Sequence, residues 1–298
     1  RDFIPGVGIK IVIILSNEML EYLKTNAGDL FSTVKFAYSF TDHSFKFDLK
    51  INDDKLKKAI KEYEDYLLSD TTYENIIYDL IVNIISEAYD TGYFELVLQY
   101  AEKALLYSDS KSKKSFIFTI IGNVNMKLGN NQTALKYSNK ALKINKQMKD
   151  NTSIASVLND IGRTYYNLGI YKVALKYHTE SLNLFKKLNN IRGIAICLHN
   201  IGEVHEELGE HKTSIEYYNE SLQLETRLGN KLGIAISLNK LGHTHEQFGE
   251  YLMALEYFFK AAEIFRNIEN ENEMAKTLNN IGTVYSKLEK YETALKYT

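Results

Sequence analysis

The sequence predicts an all-α solenoid of stacked antiparallel helix pairs, and three observations carry that prediction. The pairs Ile121-Gly122, Ile161-Gly162, Ile201-Gly202, Leu241-Gly242 and Ile281-Gly282 recur every 40 residues, a period that marks supersecondary units too small to bury an apolar face alone. Within each period, apolar residues fall at spacings of three and four, which is one face of a helix. Proline, which removes a hydrogen bond and clashes inside a helix, occurs once in 298 residues, at Pro5.

Taken in order, residues 1–70 read as an N-terminal segment of unassigned fold, mostly helical. Gly8 to Leu15 fits a short strand or the tail of another domain, Glu18 to Tyr38 a helix, and Leu56 to Leu68 an amphipathic helix. The array spans 71–298. A degenerate unit at about 76–110 comes first, its Tyr89, Gly92, Tyr93, Tyr100 and Ala104 aligning with the next unit at an offset of 37 and Ile84-Ile85 standing where Ile-Gly should be. An atypical first unit is expected of a cap. Units at about 115–150, 152–190, 192–230 and 232–270 follow, with 272–298 truncated. In a representative unit, Ile154, Val157, Leu158, Ile161 and Tyr165 make the first helical face, and Gly169 ends that helix, since glycine enters the left-handed region without a Cβ penalty. A second run holds Tyr171, Ala174, Leu175, Tyr177, His178, Leu182, Phe185 and Leu188, until Asn189-Asn190 breaks it. Gly162 sits mid-helix, at a cost of ~1 kcal/mol relative to Ala. Close approach of the second helix, with Ala174 as the small partner, is the expected compensation.

Ile161-Gly162, Tyr165, Gly169, Tyr171, Ala174 and Tyr177-His178 together resemble the tetratricopeptide repeat family. The unit of 40 residues without proline is similar to the long-repeat subgroup of kinesin light chains, spindle adaptors with Leu-Gly-Asn motifs, and bacterial sensor proteins. The resemblance covers about Ser115 to Thr298. It implies a right-handed superhelix whose concave groove is lined by the first helices and takes a protein or peptide ligand. Carried onto this sequence, the groove positions are Asn123, Lys127, Asn159, Arg163, Tyr166, His199, Glu203, Glu206, Asn239, His243, Glu246 and Asn279. Asn159, Asn239 and Asn279 form a row of amides, with donors and an acceptor for a ligand backbone. Lys127 and Arg163 make the N-terminal end basic, while Glu203, Glu206, Glu207 and Glu246 make the middle acidic, so basic partner side chains are expected there.

Other chemistry is weakly represented. A net charge of −2 gives no general pull toward nucleic acid or anionic membrane. The longest apolar runs, Ile11 to Leu15 and Ile194 to Leu198, are far short of a membrane span. The single cysteine, Cys197, forms no intrachain disulfide and points to a cytoplasmic setting. The seven histidines make no His-Glu-x-x-His spacing, so no metal or other cofactor is expected, and His205 and His245 read as inter-repeat packing groups. Neither a phosphate-binding glycine loop nor a nucleophile elbow occurs, and the chain reads as a non-enzyme. Arg1 and the interrupted pattern at Ala294 to Thr298 suggest both ends are cut from a longer chain. Two readings follow: an interaction module, or a sensory arm of a larger signalling protein. Self-association through the truncated last unit is a further expectation.

Overall fold

The computed structural model describes residues 53–69 and 73–297, all within the unit Ile51–Thr298. The elements expected at 8–15 and 18–38 lie outside the described residues. Among the described residues all regular structure is helical. Helix α1 (Asp54–Leu67) begins where the Asp53 carboxylate accepts from the Leu56 amide, 2.9 Å. The pair α2 (Glu74–Asp90) and α3 (Phe94–Leu106) follows. Then come α4 (Lys111–Lys127) with α5 (Asn131–Met148), α6 (Asn151–Asn167) with α7 (Tyr171–Lys187), and α8 (Ile191–Glu207) with α9 (His211–Leu228). The last are α10 (Lys231–Gln247) with α11 (Tyr251–Asn267), and α12 (Glu271–Lys287) with the single turn α13 (Tyr291–Ala294). Each helix packs on the one before and the one after it, the antiparallel α-solenoid that the period predicts.

Two turn devices alternate. Within a pair, the first helix closes in a Schellman motif: Gly169 sits at φ +72° and donates to Tyr166, while Ile170 donates to Tyr165, satisfying carbonyls the helix leaves orphaned. Between pairs, the next first helix is capped by Ser110, Asp150, Asn190, Asn230 or Asn270, each accepting the amide three residues on. Asn189-Asn190 is thus more than a break. Asn189 takes the left-handed turn (φ 52°), and Asn190 starts the next helix.

In three of the units the glycine of the Ile-Gly pair makes room for a ring, not for the alanine, and at Gly122 for the Ser138 hydroxyl. A Cβ at Gly162 would lie 2.7 Å from the His178 ring, at Gly202 2.8 Å from Tyr218, and at Gly242 2.7 Å from Phe258. The expected partner, Ala174, is buried elsewhere in the same crossing. Ile281 and Val284 are fully buried because they pack backward onto Leu255 and Phe258 of α11.

Candidate binding face on the first helices

Helical spacing places Ile196, His199, Glu203, Glu206 and Glu207 of α8 on one stripe, at i, i+3, i+7, i+10 and i+11. Consecutive first helices touch directly, α4 with α6, α6 with α8, and α10 with α12, so the stripes lie side by side.

One position supplies the tie between neighbours. In the four units after the first Ile-Gly pair, the residue just before the pair reaches back to the preceding first helix. The Asp160 carboxylate is hydrogen-bonded by the Asn123 side chain. Asn200 Nδ2 donates to Asn159 Oδ1 at 2.9 Å, Lys240 Nζ meets Glu203 Oε1 at 2.6 Å, and Asn280 Nδ2 donates to Asn239 Oδ1 at 3.3 Å.

At the α8–α10 step this tie grows into a network. Glu206 is buried, a position a carboxylate occupies only when well partnered. Tyr218 Oη donates to its Oε2 at 2.8 Å, while Thr244 Oγ1 (3.1 Å) and His243 Nδ1 (2.7 Å) donate to Oε1. Burial pushes Glu206 up, but His243, Lys240 and Tyr218 together hold it below the ordinary glutamate range. The hydrogen bond to Glu206 raises His243 in return. Burial also pushes Glu203 up, and His199 and Lys240 outweigh it. Burial holds His199 below the ordinary imidazole range, so near neutral pH the charge that faces Glu203 is that of Lys240. Further along, Lys287 Nζ meets Glu246 Oε1 at 2.6 Å. Glu207, exposed, accepts from Tyr166 and Tyr171, each at 3.1 Å. The middle of the face is therefore not a bare acidic surface: Glu203 and Glu246 each hold a lysine, and Glu206 a histidine, supplied by the next first helix.

The N-terminal end is different. Lys127 is exposed and stands over the Tyr89 ring (4.9 Å) and the Phe94 ring (5.3 Å). Arg163 is exposed on α6. Burial pushes Asp160 up to about 6, against the opposing pull of Arg163 and Asn123.

The amide row is not uniform. Asn159 is buried and its Oδ1 is already occupied by Asn200, by His178 Nδ1 at 2.8 Å and by the Cys197 thiol at 3.7 Å. Its carbonyl is a fixed junction inside the protein, unlike the open ladder rung expected of it. Asn239 is half-buried with its oxygen tied to Asn280, and Asn279 is exposed. Asn123 is half-buried, as are Tyr166, His199 and His243.

Sequence reasoning missed four members of this face. Phe116 and Ile196 are 49% and 44% exposed, and Ile236 is half-buried. They share a stripe with the amide positions three residues later and recur in the series Phe116, Ser156, Ile196, Ile236, Lys276. Lys240 belongs to the tie series Asp160, Asn200, Lys240, Asn280. Both series were readable as 40-residue recurrences, the second as polar residues standing beside the buried Ile.

Other groups are structural. Cys197 is fully buried, and burial holds its thiol up at about 11, where little thiolate forms. His205 stacks on Tyr217 (5.3 Å) and His245 on Tyr257 (5.2 Å), and each bonds Glu210 or Glu250 at 2.5 Å. These contacts lie within one helix pair, so both histidines pack inside repeats and not between them as expected. Among the described residues no group of three His, Cys, Asp or Glu side chains could hold a metal, and no helix is long and apolar enough to cross a membrane. A shallow cavity of about 300 Å³ lies apart from the stripes, at the α8–α9 turn between Gly209 and Phe248.

Comparison with known proteins agrees with this geometry. Tetratricopeptide repeat models match residues 117–187 and 193–267, and a second such model matches 275–297. No curated protein matches the chain significantly. Among solved structures, a Signal Transduction ATPase with Numerous Domains protein with a tetratricopeptide repeat sensor, from Pyrococcus horikoshii, superposes with TM-score 0.61 at 21% identity. That match covers 83% of this chain and 46% of the other, so the chain spans less than half of that relative. A Rap protein complexed with Competence and Sporulation Factor gives 0.61 at 17% identity, over 82% and 73% of the two chains. NprR in complex with its cognate peptide NprX gives 0.60 at 18%, over 83% and 72%. Likeness at this identity establishes the fold.

Proposed function

We propose that this chain, which belongs to the tetratricopeptide-repeat family, is a protein-interaction module that holds a peptide or helical segment of another protein along its first-helix face. The observation that carries the reading is a face that is apolar and exposed at Phe116 and Ile196 yet fixed by polar ties at the four steps between first helices from α4 to α12. Exposed apolar groups in register mark a binding surface, and side chains already immobilised lose less entropy when a ligand arrives. NprR, a fold-level neighbour, carries a peptide in its structure; that supports the reading as analogy of fold. Binding, not catalysis, is the activity proposed.

The finer expectation, basic partner groups at the middle of the face, now centres on Glu207. Its partners Tyr166 and Tyr171 are neutral, so it keeps a net charge for a ligand, whereas Glu203, Glu206 and Glu246 are matched. Self-association at the last pair would run over the exposed Tyr291 and Leu295. A concentration series in sedimentation, with Leu295→Glu as comparison, tests it.

The main test is panning of a displayed random-peptide library on the full chain. Selected peptides should bind Ile196→Asp at least tenfold more weakly, the loss expected for a central apolar contact. They should bind Asn239→Ala more weakly too, and Lys186→Glu, on the second helix α7, unchanged. Binders that ignore Ile196→Asp but are lost with Lys186→Glu place the interaction on the other surface.

A second reading, a sensory arm of a larger signalling protein, is favoured by one observation: the Pyrococcus horikoshii neighbour carries its tetratricopeptide repeats as a sensor within a longer chain.

A further inference from the structure

We propose that the outer surface of α5 and α7 is a second docking surface, one that takes the phosphate backbone of a nucleic-acid duplex. It lies on the second helices and does not depend on the first-helix reading above.

The net charge of −2 conceals an uneven distribution. Residues 110–149 hold nine lysines and no Asp or Glu, whereas residues 53–109 hold 13 acidic residues and five lysines. On α5, Lys136, Lys140, Lys143 and Lys146 fall at spacings of four and three, which is one face, and all four are exposed. On α7, one repeat later, Lys172, Lys176, Lys186 and Lys187 are exposed, and Glu180 is the only acid of that helix. Lys176 and Lys186 repeat the places of Lys136 and Lys146. The patch stops on both sides: α3 exposes Glu95 and Glu102, and α9 exposes Glu216 and Glu220.

None of these eight lysines forms an ion pair among the described residues. Elsewhere an exposed lysine finds a carboxylate one turn away on its own helix, as Lys57 does with Asp54 (3.1 Å), Lys260 with Glu256 (2.6 Å) and Lys276 with Glu273 (2.7 Å). Helix α5 supplies no such acid. Lys140 rests over the Phe118 and Tyr137 rings, at 5.2 and 4.7 Å, which leaves it charged. Like charges one turn apart repel, so the row carries a strain that a bound polyanion would relieve.

The surroundings select the polyanion. The other exposed residues of α5 and α7, apart from Glu180, are Gln132, Thr133, Asn139, Gln147, Thr179 and Asn183, none of them apolar. The outer face of α11, by contrast, exposes Leu252, Met253 and Phe259. A protein partner wants an apolar centre to its interface, and a helix lying on a membrane wants apolar groups to insert. Nor do α5 and α7 expose a ring on which unpaired bases could stack. A regular row of phosphates asks for neither. From Lys136 to Lys146 the row runs ~15 Å at about 1.5 Å per residue, and over ~15 Å of its axis one strand of a duplex presents about four phosphates. The amides and hydroxyls beside the lysines are further donors to phosphate oxygens.

The probe is a short labelled DNA duplex of mixed sequence, titrated with the full chain and read by fluorescence anisotropy. Binding should weaken steeply between about 50 and 200 mM salt, with a slope of log K against log salt of about −3.5 or steeper, the value for four phosphate contacts. The triple variant Lys136→Gln, Lys140→Gln, Lys143→Gln should bind at least tenfold more weakly and flatten the slope by about 2.7. Glutamine keeps the helix propensity of lysine, so circular dichroism should be unchanged. Lys260→Gln, at the place of Lys140 three units on, should leave binding as it is. An unlabelled RNA duplex should displace the probe as well as DNA does, because phosphate is the group read; failure to displace it overturns a site for the backbone alone. Absence of binding at about 50 mM salt, or equal binding by the triple variant, overturns the proposal. Tighter binding to vesicles of phosphatidylserine and phosphatidylcholine assigns the patch to a membrane surface, and tighter binding of single-stranded DNA assigns it to unpaired bases. Self-association that the triple variant abolishes assigns it to the acidic residues 53–109 of a second copy. Each of these three outcomes overturns the proposal as well.

Discussion

Ser214 is fully buried at the place that Ala134, Ala174 and Ala254 hold in neighbouring units, and its hydroxyl has no hydrogen-bond partner. A buried hydroxyl left without a partner costs about 1–3 kcal/mol. Ser214→Ala should therefore raise the stability of the array by about 1 kcal/mol, read as a shift in urea midpoint at unchanged slope; a lower midpoint would mean that the hydroxyl finds a bond. His178 makes the opposite kind of contribution. The Asn159 oxygen accepts from its Nδ1, which requires the proton on that nitrogen, and burial keeps the ring neutral by holding the imidazole down at about 4. The unfolded chain binds the proton at about 6.5, so between these values acidification favours unfolding. At about 1.4 kcal/mol per pH unit, this one group removes about 3 kcal/mol between pH 7 and pH 4. His199, also held down by burial, acts in the same direction. His178→Phe places at Gly162 the ring that Phe258 places at Gly242, and should flatten the melting temperature between pH 7 and 5; an unaltered slope would show that His178 is not the group responsible. Neither role was legible in the sequence. An alanine-to-serine change and a histidine in an aromatic position look harmless until burial and the absence of a second partner are known.

At the scale of the helix, nearly everything that repeats was legible. The Ile-Gly phase, the closing glycines and the small residues of the second helix fixed where helices run, because each reflects a local backbone requirement that recurs. What recurrence concealed was the far side of each contact. The side chain over each glycine differs in every unit, Ser138, His178, Tyr218 and then Phe258, so the series did not read as one position. Gly202→Leu should lower stability by about 1–3 kcal/mol or more, since even a Cβ would meet Tyr218 at 2.8 Å. Pairing it with Tyr218→Ala in one chain should recover part of the loss, because the truncated ring leaves room. Strictly additive effects in that double mutant would separate the two sites.

Across the whole described array, each pair meets only its neighbours, so stability is a sum of unit and interface terms. The end pair α12–α13 has an interface on one side and a second helix of only 4 residues. Amide exchange at Val284 should be faster than at Val204, despite equal burial of the two side chains. Equal protection factors would indicate one cooperative block. The location of the first-helix face proposed for binding was legible at this scale, since it follows from which helix comes first in each unit. Its charge state was not. Glu203, Glu206 and Glu246 look like an acidic patch in the sequence, and are seen to be partnered only when the stacking of units brings Lys240, His243 and Lys287 alongside. A pairing at a separation of 37 or 41 residues is visible only once the register of the stack is known.

The N-caps described above turn the chain into text with punctuation. Asn190 and Asn230 open successive sentences with the same mark, and Asn189 and Gly229 close the ones before with the same left-handed turn. Excising residues 190–229 joins Asn189 to Asn230 without disturbing either mark. Phe185, which now lies against Gly193, would then meet Gly233, a glycine at the same distance from its cap. The shortened chain should fold with the same helix content per residue by circular dichroism and melt at a lower temperature, having lost one unit and one interface. Excising 190–226 instead leaves Arg227, Leu228 and Gly229 wedged between the closing turn and the next cap. That chain should melt lower still, or without cooperativity. If the two deletions melt alike, the caps do not set the register, and a single sentence cannot be struck from this protein cleanly.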